Sequence, residues 1–179
     1  MANVLTKNIW VCDSLGILSP RPVLLKAINF YPNAVSDAFT LLWWDEDTTA
    51  AYVRGVTYTI TTSTDDTVTS TGNFASTWAD GKVVKCLKTT GTDNGVYGLI
   101  KTAGNNNAFV THLSPFTTEA SKVGDWDCYN TYTAFKMLEP TVANTHQSMF
   151  VSFGGDGMWF PNLALDALST SAAVHLYVG

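Results

Sequence analysis

The chain has 179 residues, 46% of them apolar and only 14% charged, with a net charge of −5. That length supports one domain of roughly 100–200 residues, and the apolar share excludes a disordered tail. The acidic balance excludes a phosphate-binding face for nucleic acid, and low charge with 12% aromatic residues suits a chain that packs against others.

In chain order, Asn3 to Asn8 has neither the basic start nor the apolar run of a signal peptide, so synthesis in the cytoplasm is expected. Residues 1–16 read as an N-terminal arm, in which Val4, Leu5, Ile9 and Trp10 are apolar. These four are expected either to contact a partner or to form the first strand of the chain's own sheet. Leu41-Leu42-Trp43-Trp44 is far short of a membrane helix; as a strand it sends its two tryptophans to opposite faces. Asp45-Glu46-Asp47 lacks the ligand spacing of a calcium loop and reads as a hairpin turn.

Val56-Thr57-Tyr58-Thr59-Ile60-Thr61 alternates apolar and threonine with a period of two, the pattern of a half-buried strand. Turn signals follow at Asp65-Asp66, Asp80-Gly81, Asp93-Asn94-Gly95 and Gly104 to Asn107. Thr117 to Val123, stopped by Gly124, reads as a short helix. Beyond it, Asp125 and Asp127 have the spacing of a carboxylate pair on one strand face. Residues 147–153 alternate again, apart from an additional apolar Phe150, and Gly154-Gly155-Asp156-Gly157 reads as a tight loop. Asn162 to Leu168 has Ala/Leu content but only seven residues, and reads as a strand of a hairpin. In the closing run Ala172, Val174, Leu176 and Val178 share one face, with His175 and Tyr177 on the other.

Many short strands with Gly/Asn/Asp punctuation give an all-β chain, an antiparallel, jelly-roll-like β-sandwich. No catalytic motif is visible. Gly-x-Ser-x-Gly is absent, no glycine run has phosphate-binding spacing, and His112, His146 and His175 have no ligand-spaced partner. Cys12, Cys86 and Cys128 read as reduced thiols. No enzyme, cofactor or metal is expected. Trp78 and Trp126, beside turn-like residues, are candidate exposed aromatic contacts for a glycan or a protein.

The two chain ends carry a resemblance. Asn3-Val4-Leu5-Thr6-Lys7-Asn8-Ile9-Trp10-Val11, followed by Asp13-Ser14-Leu15-Gly16, resembles the opening of a family of small tailed-bacteriophage virion proteins. Asn162-Leu163-Ala164-Leu165 and Ala173-Val174-His175-Leu176-Tyr177-Val178-Gly179 are similar to that family's closing strands. The similarity covers residues 3–55 and 147–179; Ile9 stands where the family usually has proline, and Phe30 where tryptophan is frequent. It implies one sandwich domain over 1–179 with 56–146 as an insertion. It also implies a capsid decoration (cement) protein on the virion surface, whose partners are the major capsid protein and copies of itself as a trimer or dimer, with no nucleic acid or membrane. A glycan-binding virion module and a neck or tail component are the other functions this reading leaves open.

Overall fold

The computed structural model describes residues 3–70, 74, 78–105, 107–138 and 148–179, with the side chain of Asn105 excluded. Among these residues there is no helix. The chain is all-β with antiparallel, sandwich-like sheets. His146 and Gln147, where the expected insertion ends and the next strand begins, lie outside the described residues, as do Met1 and Ala2 of the arm.

The fourteen described strands are β1 (Val4–Leu5), β2 (Ile9–Cys12), β3 (Gly16–Ser19), β4 (Val23–Tyr31), β5 (Ala38–Thr62), β6 (Asp66–Ser70) and β7 (Val83–Thr89). They continue as β8 (Tyr97–Asn105), β9 (Ala108–Thr111), β10 (Glu119–Leu138), β11 (Met149–Ser152), β12 (Met158–Phe160), β13 (Leu163–Leu168) and β14 (Ala173–Val178). They form two compact units, one of residues 1–43 and 132–179 and the other Trp44–Thr131. Strands β5 and β10 each pass from one unit into the other.

In the first unit β1-β2-β14-β4-β11 form one sheet, with β12 also paired to β4. The start of β5 pairs with β13, which pairs with β3. The alternation in the sequence decides which side of each strand is covered. Val174 and Leu176 of β14, and Leu25, Ile28 and Phe30 of β4, are wholly buried with Phe39, Leu41, Leu163 and Leu165. Burying each such side chain stabilises by about 1.5–3 kcal/mol, before the entropy of ordering it. Leu163–Leu168 is a strand, as its length and bounding turns suggest.

In the second unit the pairings run β5-β6-β9-β8-β7-β10 and return from β10 to β5, a ring of six strands. Its filling is aromatic. Tyr58, Phe74, Trp78, Phe109, Phe116 and Trp126 are all buried, with Val68, Cys86, Ile100 and Cys128 among them.

Two local expectations are overturned. Thr117 to Val123 is not helical, because β10 begins at Glu119. Seven residues rich in β-branched side chains cannot sustain an isolated helix, and Ser121 takes a φ of 65° less 13°, that is +52° in the backbone, outside helical space. Asp45-Glu46-Asp47 is not a turn but lies within β5. Glu46 accepts from Lys85 Nζ at 3.0 Å and Tyr97 Oη at 2.7 Å, and these bonds hold the acidic run extended.

Candidate interaction surface

In the β1-β2-β14-β4-β11 sheet, strand register dictates which side chains share the face away from the core, since directly opposed residues point the same way. Phe150 lies opposite Asn29, Asn29 opposite His175, His175 opposite Val11, and Val11 opposite Val4. The adjacent row sets Ser152, Ala27, Tyr177 and Ile9 side by side. Tyr31 opposes Ala173, and Trp159 opposes Leu24.

The outcome is an aromatic and aliphatic face open to solvent. Trp159 is 66% exposed, Phe150 61% and Val4 58%, with Ile9 and Tyr31 also exposed. The rings support one another. Tyr31 and His175 lie 4.5 Å apart, and Phe150 meets Tyr177 edge to face at 6.2 Å. Asn29 Nδ2 donates to Tyr31 Oη at 2.6 Å, and Lys26 Nζ donates to the Gly155 carbonyl at 2.7 Å. The Gly154–Gly157 loop brings β12 back onto β4 beside β11. Gly157 has φ +68°, and a Cβ there would sit 2.8 Å from the Leu25 carbonyl, so only glycine fits this return.

The expected arm residues divide. Residues 4–12 are strands of the sheet rather than a free arm, with β2 paired to β14 from Ile9 to Cys12. Val4 and Ile9 belong to the outward face. Leu5 is exposed opposite Trp10. Trp10 opposes buried Leu176 and packs against the core, so it is a core-side residue and not a partner contact. Its indole donates to the Thr6 carbonyl at 2.6 Å.

Trp78 and Trp126 are likewise not exposed contacts; they are 5% and 0% exposed. Trp126 meets Tyr58, Phe109, Phe116 and Phe74 with centroids 5.2–6.4 Å away, and Trp78 stacks on Phe74 at 4.6 Å. A ring of strands has one interior, and these two largest side chains fill it. Of Trp43 and Trp44, Trp44 is buried and Trp43 half-exposed against Tyr132.

Sequence reasoning missed Tyr31, Phe150 and Trp159. Phe150 had a signal, since it breaks the alternation of its strand with an apolar residue on the polar side.

The carboxylate pair is engaged by backbone and arginine. Asp125 Oδ1 accepts from the Gly55 N–H at 2.7 Å, and Asp127 is paired with Arg54 at 2.6 Å. Among the described residues no group of three or more His, Cys, Asp or Glu side chains is placed to hold a metal ion. All three cysteines are free and buried.

No family model, curated protein or solved structure matches this chain.

Proposed function

We propose that this chain is a structural virion protein, a capsid decoration (cement) protein that binds the outer surface of a phage head between major capsid subunits. The outward aromatic face of the first unit carries the reading. A solvated sheet face normally alternates to polar residues, whereas this one presents Val4, Ile9, Tyr31, Phe150 and Trp159. Aromatic residues without charge are what the centre of a protein interface selects. All six strands that build the face come from the chain ends resembling phage virion proteins, 3–55 and 147–179. With Trp78 and Trp126 buried, a glycan site built on those two residues is withdrawn.

The test mixes purified protein with heads stripped of decoration and follows co-sedimentation. Wild type should bind, and Phe150→Asp with Trp159→Asp should weaken binding at least ~30-fold, the effect of losing a ~2 kcal/mol anchor. Equal binding by the double variant, or no binding by wild type, overturns the reading. Copy number per particle then separates a head decoration from a neck or tail component.

A further inference from the structure

One end of the second unit is built around buried acids. Asp66, Asp93 and Glu119 are 0%, 3% and 6% exposed. They hold the segment from Leu113 to Thr118 by its backbone. The Phe116 N–H donates to Asp66 Oδ2 at 2.7 Å, the Thr117 N–H to Asp93 at 3.1 Å, and the Leu113 N–H to Asp65 Oδ1 at 3.1 Å. The Asp66 N–H in turn donates to the Leu113 carbonyl at 3.1 Å.

The three buried acids are not equivalent. Glu119 receives three donors, the Tyr58 hydroxyl and the N–H and hydroxyl of Thr92, which suit a carboxylate. Asp66 Oδ1 has no partner among the described residues. Thr111 lies directly opposite Asp66 in the β6–β9 ladder, is wholly buried, and its hydroxyl also has no partner. Opposed residues share a face with Cβ atoms about 4.5–5.5 Å apart, so the two orphan oxygens lie within a side-chain rotation of one another. Such a pair is completed by one hydrogen, and the group able to supply it is a neutral Asp66 carboxyl.

The surroundings favour neutrality. The titratable groups around Asp66 are Asp65 next to it, Asp93 in the β7–β8 connection and Glu119 on β10. Tyr58 and Cys86 lie beside Glu119, and His112 follows Thr111 in the chain. The neighbouring cation, Lys101, is held by Asp65 at 2.5 Å. The Ser114 hydroxyl near Asp66 donates to the Ser63 carbonyl at 2.5 Å. Burial raises the Asp66 carboxyl, Asp65 adds to this, and the bonds from Phe116 and Ser114 oppose it.

We propose that Asp66 is a proton-holding residue, and that its ionisation at alkaline pH releases the Leu113–Thr118 segment from the end of the six-stranded ring. A charge there is hydrated only if the covering segment moves. Ser114, Thr117 and Thr118 already face solvent, and Leu113 stands at φ +60°, a conformation held by its neighbours. Phe116, buried against Trp126, would be uncovered by the same movement. Gly98 is shaped to this closed state, since a Cβ there would lie 2.8 Å from Thr111 and 2.9 Å from Phe116. The linkage sign is that of an acid harder to ionise when folded. Its contribution is complete below the unfolded value, near ~3.9, and is lost as pH rises through the higher folded value.

The test follows the Asp66 ¹³Cγ resonance of the full chain against pH, together with hydrogen-exchange protection of the Phe116 and Thr117 amides. Asp66 should stay protonated well above the ordinary carboxylate range, and protection should fall at least tenfold as it ionises. Asp66→Asn, which keeps an acceptor for Phe116, should remove that pH-linked fall. Titration of Asp66 near its ordinary value, or the same fall in Asp66→Asn, overturns the proposal. Should the variant fail to fold, the wild-type resonance decides alone.

Discussion

Replacing Trp126 by alanine tests whether the second unit is organised around one aromatic interior. The indole is wholly buried and meets four rings, those of Tyr58, Phe74, Phe109 and Phe116. Trp→Ala changes in cores cost about 3–5 kcal/mol, and four rings that cannot collapse into the space place this one near about 5 kcal/mol. With a urea slope of about 1–3 kcal/mol per molar, the midpoint falls by roughly 2 M or more. Trp126→Phe provides the contrast. It keeps a ring in place and removes an indole N–H that has no partner among the described residues, so its cost should be about 1–2 kcal/mol. Far-UV circular dichroism during urea unfolding reads both variants without relying on the deleted fluorophore. A loss below about 1 kcal/mol for Trp126→Ala, as at a surface position, would refute the packing argument.

Two further outcomes are expected. Deleting residues 1–11 strips β1 and most of β2 from β14, so thermal unfolding should lose cooperativity or fall by several degrees, whereas an unchanged Tm would mean these strands add nothing to the fold. Burial pushes the thiols of Cys12, Cys86 and Cys128 up to about 12, so the native protein should not react with a thiol-specific disulfide reagent at pH 8, while all three should react in denaturant. Rapid labelling of any of them under native conditions would contradict their burial.

What could be read from the sequence was whatever a single strand encodes by itself. Val56, Tyr58 and Ile60 are buried between threonines, and Val174, Leu176 and Val178 turn inward, because a period of two needs no knowledge of the partner. The misreadings share a cause. Glu119 looks helical in its own heptapeptide but answers to Tyr58 and Thr92, which are distant in the chain. Asp45 to Asp47 resembles a turn until Lys85 and Tyr97 engage Glu46. Trp78 and Trp126 sit beside turn-like residues, and only closure of the ring between β10 and β5 shows which side of the strand is inside. The outward face was partly legible. His175 and Tyr177 followed from alternation, but Phe150 and Trp159 join them only through the register of β11 and β12 on β4.

The outward face has scarcely any charge, Lys26 being tied to the Gly155 carbonyl. Attachment through such a surface owes little to Coulomb attraction, so raising ionic strength leaves it intact, and strongly hydrated salts such as sulfate tighten it. Chilling acts in the opposite sense, because the water-driven force that gathers apolar rings fades as temperature drops. A particle held together this way withstands brine and warmth, and cold loosens it.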